Sequence, residues 1–96
     1  MAEMLCAEDF APFVGKTFRA DGHAQALTLV TLETPDVAGW PTARKPFSLI
    51  LRGPHGDVVP EGLYRFTADN QRTFELYMNP IRTVSRDYQE YQIAFN

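Results

Sequence analysis

Apolar and polar residues alternate along much of this chain, which is the pattern of β-strands that bury one face. The alternation predicts strands at residues 24–34, 47–52, 63–67, 73–79 and 89–95, with a further brief strand at 17–20. Gly, Pro, Asp and Asn separate these segments and favour turns between them. The pattern therefore predicts an all-β fold, a mostly antiparallel meander of about six strands. It leaves two architectures open, a small barrel and a two-layer sandwich.

A short helix is predicted before the first strand, within residues 8–14. Phe10, Phe13 and Val14 stand at positions i, i+3 and i+4, so they share one helix face. Pro12 is tolerated only in the first helical turn, and the following Gly15 favours an end to the helix. We therefore expect a short helix that covers an open end or edge of the sheet.

Three of the predicted strands have a clear apolar face that is expected to point inward. These faces are Phe47, Leu49 and Leu51, then Phe74, Leu76 and Met78, and finally Tyr91, Ile93 and Phe95. A second interpretation of Tyr91 groups it with Tyr77 and Tyr88 in cross-strand pairs on a solvent face. The sequence leaves both interpretations of Tyr91 open.

The first long strand changes phase along its length. Leu27 and Leu29 share one face, whereas Val30 and Leu32 share the opposite one. Because side chains on a strand alternate with a period of two, this change predicts either a β-bulge or burial of both faces.

Two short features predict local geometry at the ends of strands. Asp21 and Gly22 form a dipeptide typical of a type I′ hairpin turn, so the flanking strands are predicted to pair antiparallel. Pro80 lacks a backbone N–H group, and it is predicted to interrupt its ladder or to confine its strand to an edge.

Composition limits the class of protein. The 96 residues are predicted to form one small β domain, residues 1–96, and 45% of them are hydrophobic. A formal net charge of −3 argues against nucleic-acid binding, which relies on clustered Lys and Arg. No apolar run reaches the roughly 18 residues of a membrane helix, and the first residues carry an acid where a secretion signal carries base. We therefore expect a soluble, cytoplasmic protein without a membrane partner.

The residues with chemical potential do not form a catalytic, metal-binding or cofactor-binding motif. Cys6 is the only cysteine, so an intrachain disulfide is excluded, and no base is placed beside it by the sequence. His23 and His55 stand apart, each near a glycine, and are interpreted as exposed turn residues. No catalytic residue, metal ligand or cofactor is predicted, and the chain is expected not to be an enzyme. An enzyme that uses Cys6 or a histidine is the least favoured hypothesis.

Partner binding is predicted in the long loop at residues 35–46, which exceeds the usual hairpin loop of about 2 to 5 residues. Trp40, the only tryptophan, is interpreted either as an interface residue or as a plug for one end of the barrel. Arg44 and Lys45 are interpreted as solvated charges, with contact to a partner as the alternative. The leading hypothesis is a protein-interaction or assembly module that associates through this loop or edge to edge, with a protein partner and with homo-oligomers left open.

A small-ligand-binding barrel is the alternative function. In this hypothesis the curled sheet encloses a pocket lined by Phe47, Phe66, Phe74 and Tyr91. Small barrels are usually filled by their own side chains, so the interaction module is preferred.

Four segments carry a resemblance to a known family. They are FAPFVGKTF at residues 10–18, PFSLILRGP at 46–54, PEGLY at 60–64 and AFN at 94–96. With these segments the chain resembles, over nearly its whole length, a bacterial family of short β-rich proteins of unknown function. The resemblance implies an association with phage-tail-like collar proteins of the microcystin-dependent type. The matched residues are mostly apolar strand positions, glycines and prolines, so no catalytic residue is carried over.

Overall fold

The six predicted strands close into an antiparallel barrel in a computed structural model, which describes residues 7–34, 46–68 and 70–95. A helix α1 (Ala7–Phe10) and a 3₁₀ turn (Ala11–Phe13) come first. The strands are β1 (Thr17–Ala20), β2 (Leu27–Glu33), β3 (Phe47–Gly53), β4 (Gly62–Ala68), β5 (Thr73–Pro80) and β6 (Gln89–Phe95). Around the barrel their order is β1, β2, β3, β6, β5, β4 and back to β1. The prediction of a mostly antiparallel all-β fold is confirmed, and the barrel is the architecture that the chain adopts. The strands do not follow one continuous meander, because β3 pairs with β6 and β4 pairs with β1; they form two three-stranded meanders, β1–β3 and β4–β6.

The inward faces of β3, β5 and β6 carry the apolar residues that the alternation predicts. All members of the three predicted faces are buried except Phe95, which is partly buried and packs against the core. Tyr91 is fully buried, so its inward interpretation is confirmed and its solvent-face interpretation is wrong.

The phase change in β2 is a β-bulge. The β2–β3 ladder shifts register between Leu29 and Thr31, so Val30 is the extra residue. Leu27 and Leu29 are fully buried on one side of the bulge, and Leu32 packs against the core on the other side. A bulge thus allows leucines of opposite phase to face the same interior.

The connection between β1 and β2 differs from the predicted hairpin turn. The N–H of His23 donates to the carbonyl oxygen of Ala20 at 3.0 Å, which closes a turn with Asp21 and Gly22 at its centre. Only Gly22 has a positive φ, of 86°, whereas a type I′ turn needs positive φ at both central positions. The predicted type I′ turn is therefore wrong, and β2 begins at Leu27, later than the predicted start at residue 24. The antiparallel pairing of the two strands is confirmed.

Antiparallel pairing around the whole barrel gives it two distinct ends. At the helix end, β1, β3 and β5 begin and β2, β4 and β6 finish. At the opposite end, which we call the loop end, lie the connections 21–26, 54–61 and 81–88.

The N-terminal helical segment covers the helix end of the barrel, as predicted. Phe10 is fully buried, and its ring centroid lies 4.9 Å from that of Phe74, 5.4 Å from that of Phe95 and 5.9 Å from that of Phe47. Phe13 is buried beside it, with its centroid 5.6 Å from that of Phe18. These rings join β1, β3, β5 and β6 in one aromatic cluster.

Pro80 is the last residue of β5, as expected for a residue that cannot donate to a ladder. β5 pairs with β4 along most of its length and with β6 at Asn79 and Pro80. Because β5 has a neighbour on both sides, the edge-strand alternative for Pro80 is wrong.

Candidate functional site

The residues that the sequence singled out for partner binding, Trp40, Arg44 and Lys45, lie outside the described residues, as does Cys6. The predictions made for them stay predictions.

The two histidines lie in different connections at the loop end. His55 is exposed, as predicted. His23 is half-buried, so the prediction of an exposed residue is wrong there; its ring packs edge-on against Tyr64 with centroids 5.3 Å apart. Within residues 7–34, 46–68 and 70–95, no group of three or more His, Cys, Asp and Glu side chains is arranged to hold a metal ion.

The connection 54–61 closes the loop end of the barrel. Its residue Val59 is fully buried, and the Val59 N–H donates to the hydroxyl oxygen of Tyr91 at 2.9 Å. The Tyr64 hydroxyl donates to the carbonyl oxygen of Pro60 at 2.7 Å, and the Gln25 side chain donates to the carbonyl oxygen of Asp57 at 3.1 Å. Burial raises the pKa of Tyr91, because the phenolate loses the water that would solvate its charge. The buried tyrosine hydroxyl thus satisfies a backbone donor and remains protonated at neutral pH.

The four residues named for a ligand pocket are part of the packed core. Phe47, Phe66, Phe74 and Tyr91 are all buried in one apolar cluster. Among the described residues no charged or polar side chain besides tyrosine is buried, so the interior offers a ligand few polar contacts. The ligand-binding alternative stays a hypothesis.

An ion pair lies on the outer face of β3 and β6. Arg52 and Glu90 are cross-strand partners, and the Arg52 Nε lies 2.8 Å from a Glu90 carboxylate oxygen. The guanidinium also lies over the ring of Tyr88, with its central carbon 4.0 Å from the ring centroid. The hydrogen bond to Glu90 raises the pKa of Arg52, which is charged at physiological pH in any case. We infer that these contacts stabilise the pairing of the start of β6 with β3.

The outer side of β4 and β5 carries two exposed apolar side chains that the sequence analysis did not select for partner binding. Leu63 of β4 and Tyr77 of β5 are direct cross-strand partners, and 63% of Leu63 and 49% of Tyr77 are exposed. Two further pairs, Arg65 with Glu75 and Thr67 with Thr73, follow them along the ladder toward the helix end. We call these six residues the β4–β5 face. It combines an apolar pair, a pair of opposite charges and a pair of hydroxyls.

A hydrogen bond fixes the aromatic ring of the β4–β5 face. The Tyr77 hydroxyl donates to the carboxylate of Glu61, the residue that precedes β4. The pKa of Tyr77 is raised, first because the neutral phenol donates this bond and then because of burial and repulsion by the Glu61 charge. The ring is therefore held at one end although its surface faces solvent.

One signal for this face was present in the sequence. In the alternation of β4 the inward phase contains Phe66, so an apolar Leu63 falls in the outward phase, where a polar residue is expected. Tyr77 also falls in the outward phase of its strand, opposite Phe74, Leu76 and Met78, but its position beside Leu63 depends on the register of β4 with β5.

Comparison with known families matches residues 5–95 to a family described as a domain of unknown function, DUF6916. The chain belongs to this family. The match includes all six strands and the helix of the DUF6916 domain, and it confirms the resemblance to an uncharacterised family. Neither the comparison with curated proteins nor the comparison with solved structures found a match.

The helices of the DUF6916 domain are short. In the described part of the chain, none has both the length and the apolar character needed to cross a membrane.

Proposed function

We propose that this DUF6916 domain is a non-enzymatic protein-interaction or assembly module and that the β4–β5 face is its docking surface. The observation that carries the proposal is the exposure of Leu63 and Tyr77 side by side on a regular sheet surface. The described interior is apolar, and the polar contacts at Tyr91 and Arg52 bind one part of the fold to another. The surfaces of the exposed pair face solvent, and among the described residues the polar contact that the pair makes within the chain is the hydrogen bond of the Tyr77 hydroxyl to Glu61.

The energetics of this pair suit an interface. Burial of a leucine or aromatic side chain contributes roughly 1.5–3 kcal/mol. Tyrosine is also enriched among the residues that dominate binding energy, because it offers a large contact area with few rotatable bonds. The hydrogen bond between Tyr77 and Glu61 fixes the ring before a partner arrives, which lowers the entropy lost on binding.

The finer parts of the proposal concern the assembly and the compartment. The resemblance to a bacterial family associated with collar proteins supports an accessory role in a phage-tail-like or surface assembly. Trp40, Arg44 and Lys45 are proposed as a second contact with the protein partner. A single cysteine supports a reducing compartment, so we propose a bacterial cytoplasmic location.

Photo-crosslinking in the host cell tests the proposed function. A photoreactive phenylalanine derivative replaces Leu63, Tyr77 or Trp40, and the adducts are identified by mass spectrometry. Thr31 is the control position, because it is an exposed residue on the outer side of β2. We expect defined protein adducts at positions 63 and 77 that are absent at position 31. Equal labelling at all four positions, or no adducts, would contradict an interaction module.

A further inference from the structure

We propose that the β4–β5 face binds a second copy of this chain, an inference that rests on the proposed function and names its partner. The three cross-strand pairs of the face each join residues of complementary chemistry. Leucine lies beside tyrosine, arginine beside glutamate and threonine beside threonine. A face built in this way is complementary to itself when a two-fold axis exchanges its two strands.

The required axis lies in the interface, parallel to the strands and midway between β4 and β5. This rotation places β4 of one copy over β5 of the other and leaves each cross-strand pair at the same height along the strands. Leu63 then meets the partner's Tyr77, and Thr67 meets the partner's Thr73. Arg65 meets the partner's Glu75, and the symmetry makes this charge contact twice in each dimer.

The charges needed for these contacts are accessible. Arg65 and Glu75 are both exposed on the outer face of the barrel. They disfavour a dimer rotated about an axis that crosses the strands at the middle pair, because that arrangement places Arg65 over the partner's Arg65 and the apolar pair over the threonine pair. The charge pair therefore selects one orientation of the second copy.

The small size of the face predicts a weak dimer. Six residues on each copy are far fewer than the 20–30 a side of a standard stable interface. The net charge of −3 on each chain also opposes association. We expect a reversible dimer with a dissociation constant on the order of 0.1 mM.

Charge reversal tests the proposed orientation. Sedimentation equilibrium is measured for the wild type, for Arg65→Glu and for Glu75→Arg, each alone and then for the two variants mixed in equal amounts. Each variant alone converts two attractive contacts into two repulsive ones, which weakens the dimer about tenfold. In the mixed dimer every reversed position faces a residue of opposite charge, so association recovers to near the wild-type level.

The mixture separates contact between copies from a role within one chain. After mixing, each variant chain still has like charges at its own positions 65 and 75. If these charges acted only within one chain, mixing would therefore not restore dimer formation. Arg86→Glu is the control for Arg65→Glu, because Arg86 is exposed in the connection 81–88 and its reversal changes the net charge by the same amount. Circular dichroism verifies the fold of each variant. As a second variant, Leu63→Ser is expected to weaken the dimer, because it removes the apolar contact between position 63 and the second copy's tyrosine.

Two results would overturn the dimer: a wild type that stays at the monomer mass of 10.9 kDa at 1 mM, roughly ten times the expected dissociation constant, or a mixture that does not recover. Adducts to other proteins at position 63, together with a monomeric wild type, would refute this partner and leave the interaction module standing. Adducts to the chain itself support both proposals. No dimer and no adducts would refute both.

Discussion

Tyr91→Phe is the substitution that tests most directly how the loop end of the barrel is closed. It deletes one oxygen atom and keeps the ring in the core. The deleted hydroxyl accepts the N–H of Val59 at 2.9 Å, and both residues are fully buried. The variant therefore leaves a buried backbone donor without its partner and changes little else.

The cost follows from the burial of that donor. A buried polar group that loses its partner costs about 1–3 kcal/mol, because water does not replace the lost bond. Taking about 2 kcal/mol, the melting temperature of a domain of this size falls by roughly 8–16 °C. We expect the amide protons of the connection 54–61 to lose protection from hydrogen exchange before those of the strands.

Tyr64→Phe is the matched control for this prediction. The Tyr64 hydroxyl also binds the same connection, through a 2.7 Å bond to the carbonyl oxygen of Pro60, but this bond is exposed. Water replaces the lost donor there, so we expect a change below about 1 kcal/mol.

Urea unfolding at neutral pH measures both variants, with hydrogen exchange as the local assay. If Tyr91→Phe is as stable as the wild type, or if Tyr64→Phe costs as much, then the buried bond does not close the loop end and the reasoning fails.

Three further predictions concern pH, packing and the helix end. The pKa of Tyr91 is raised above its ordinary value of 10.0, so above pH 10 the folded protein keeps a proton that the unfolded chain releases. The contribution of neutral Tyr91 to the free energy of unfolding is therefore complete below pH 10 and declines as pH rises further. Urea titrations at pH 8 and pH 10.5 should show a smaller decline of the free energy of unfolding in Tyr91→Phe than in the wild type. Gly53→Ala places a Cβ atom 2.5 Å from the Cδ2 atom of the buried Leu27 and should cost about 1–3 kcal/mol in thermal unfolding, whereas at Gly62 the nearest atoms lie at 3.5 Å and an alanine should be nearly neutral. Phe10→Ala removes the ring at the centre of the aromatic cluster and should lower the free energy of unfolding by about 3–5 kcal/mol; an unchanged value would show that the helix end does not depend on α1.

Much of the local structure was predictable from the sequence, because it depends on neighbours along the chain. The inward faces of β3, β5 and β6 follow from a side-chain period of two. The phase change in β2 follows from the same rule, but it predicted either a bulge or burial of both faces, and only the register of β2 with β3 decided for a bulge at Val30. The short helix follows from the spacing of Phe10 and Phe13, with Pro12 as its limit. The same spacing wrongly placed Val14 on the buried face, because the helical segment ends before Val14 and leaves it exposed.

The candidate site was only partly predictable. The outward phase of Leu63 was visible in the alternation, but its value as a docking residue depends on Tyr77 across the ladder. The hydrogen bonds that Tyr77 makes with Glu61 and that Tyr91 makes with Val59 join residues 16 and 32 positions apart. No periodicity links such positions, because the contacts arise only when distant segments meet.

The sequence by itself determined that this chain forms short antiparallel strands with apolar inner faces and a brief helix in front of them. Only the tertiary structure decided that the sheet closes, with β3 beside β6 and β1 beside β4. These pairings depend on which strand edges meet after the chain collapses, and each brings together residues far apart in the sequence. The alternation is the same in a barrel and in a sandwich, so the choice between them comes from pairing and packing across the whole molecule.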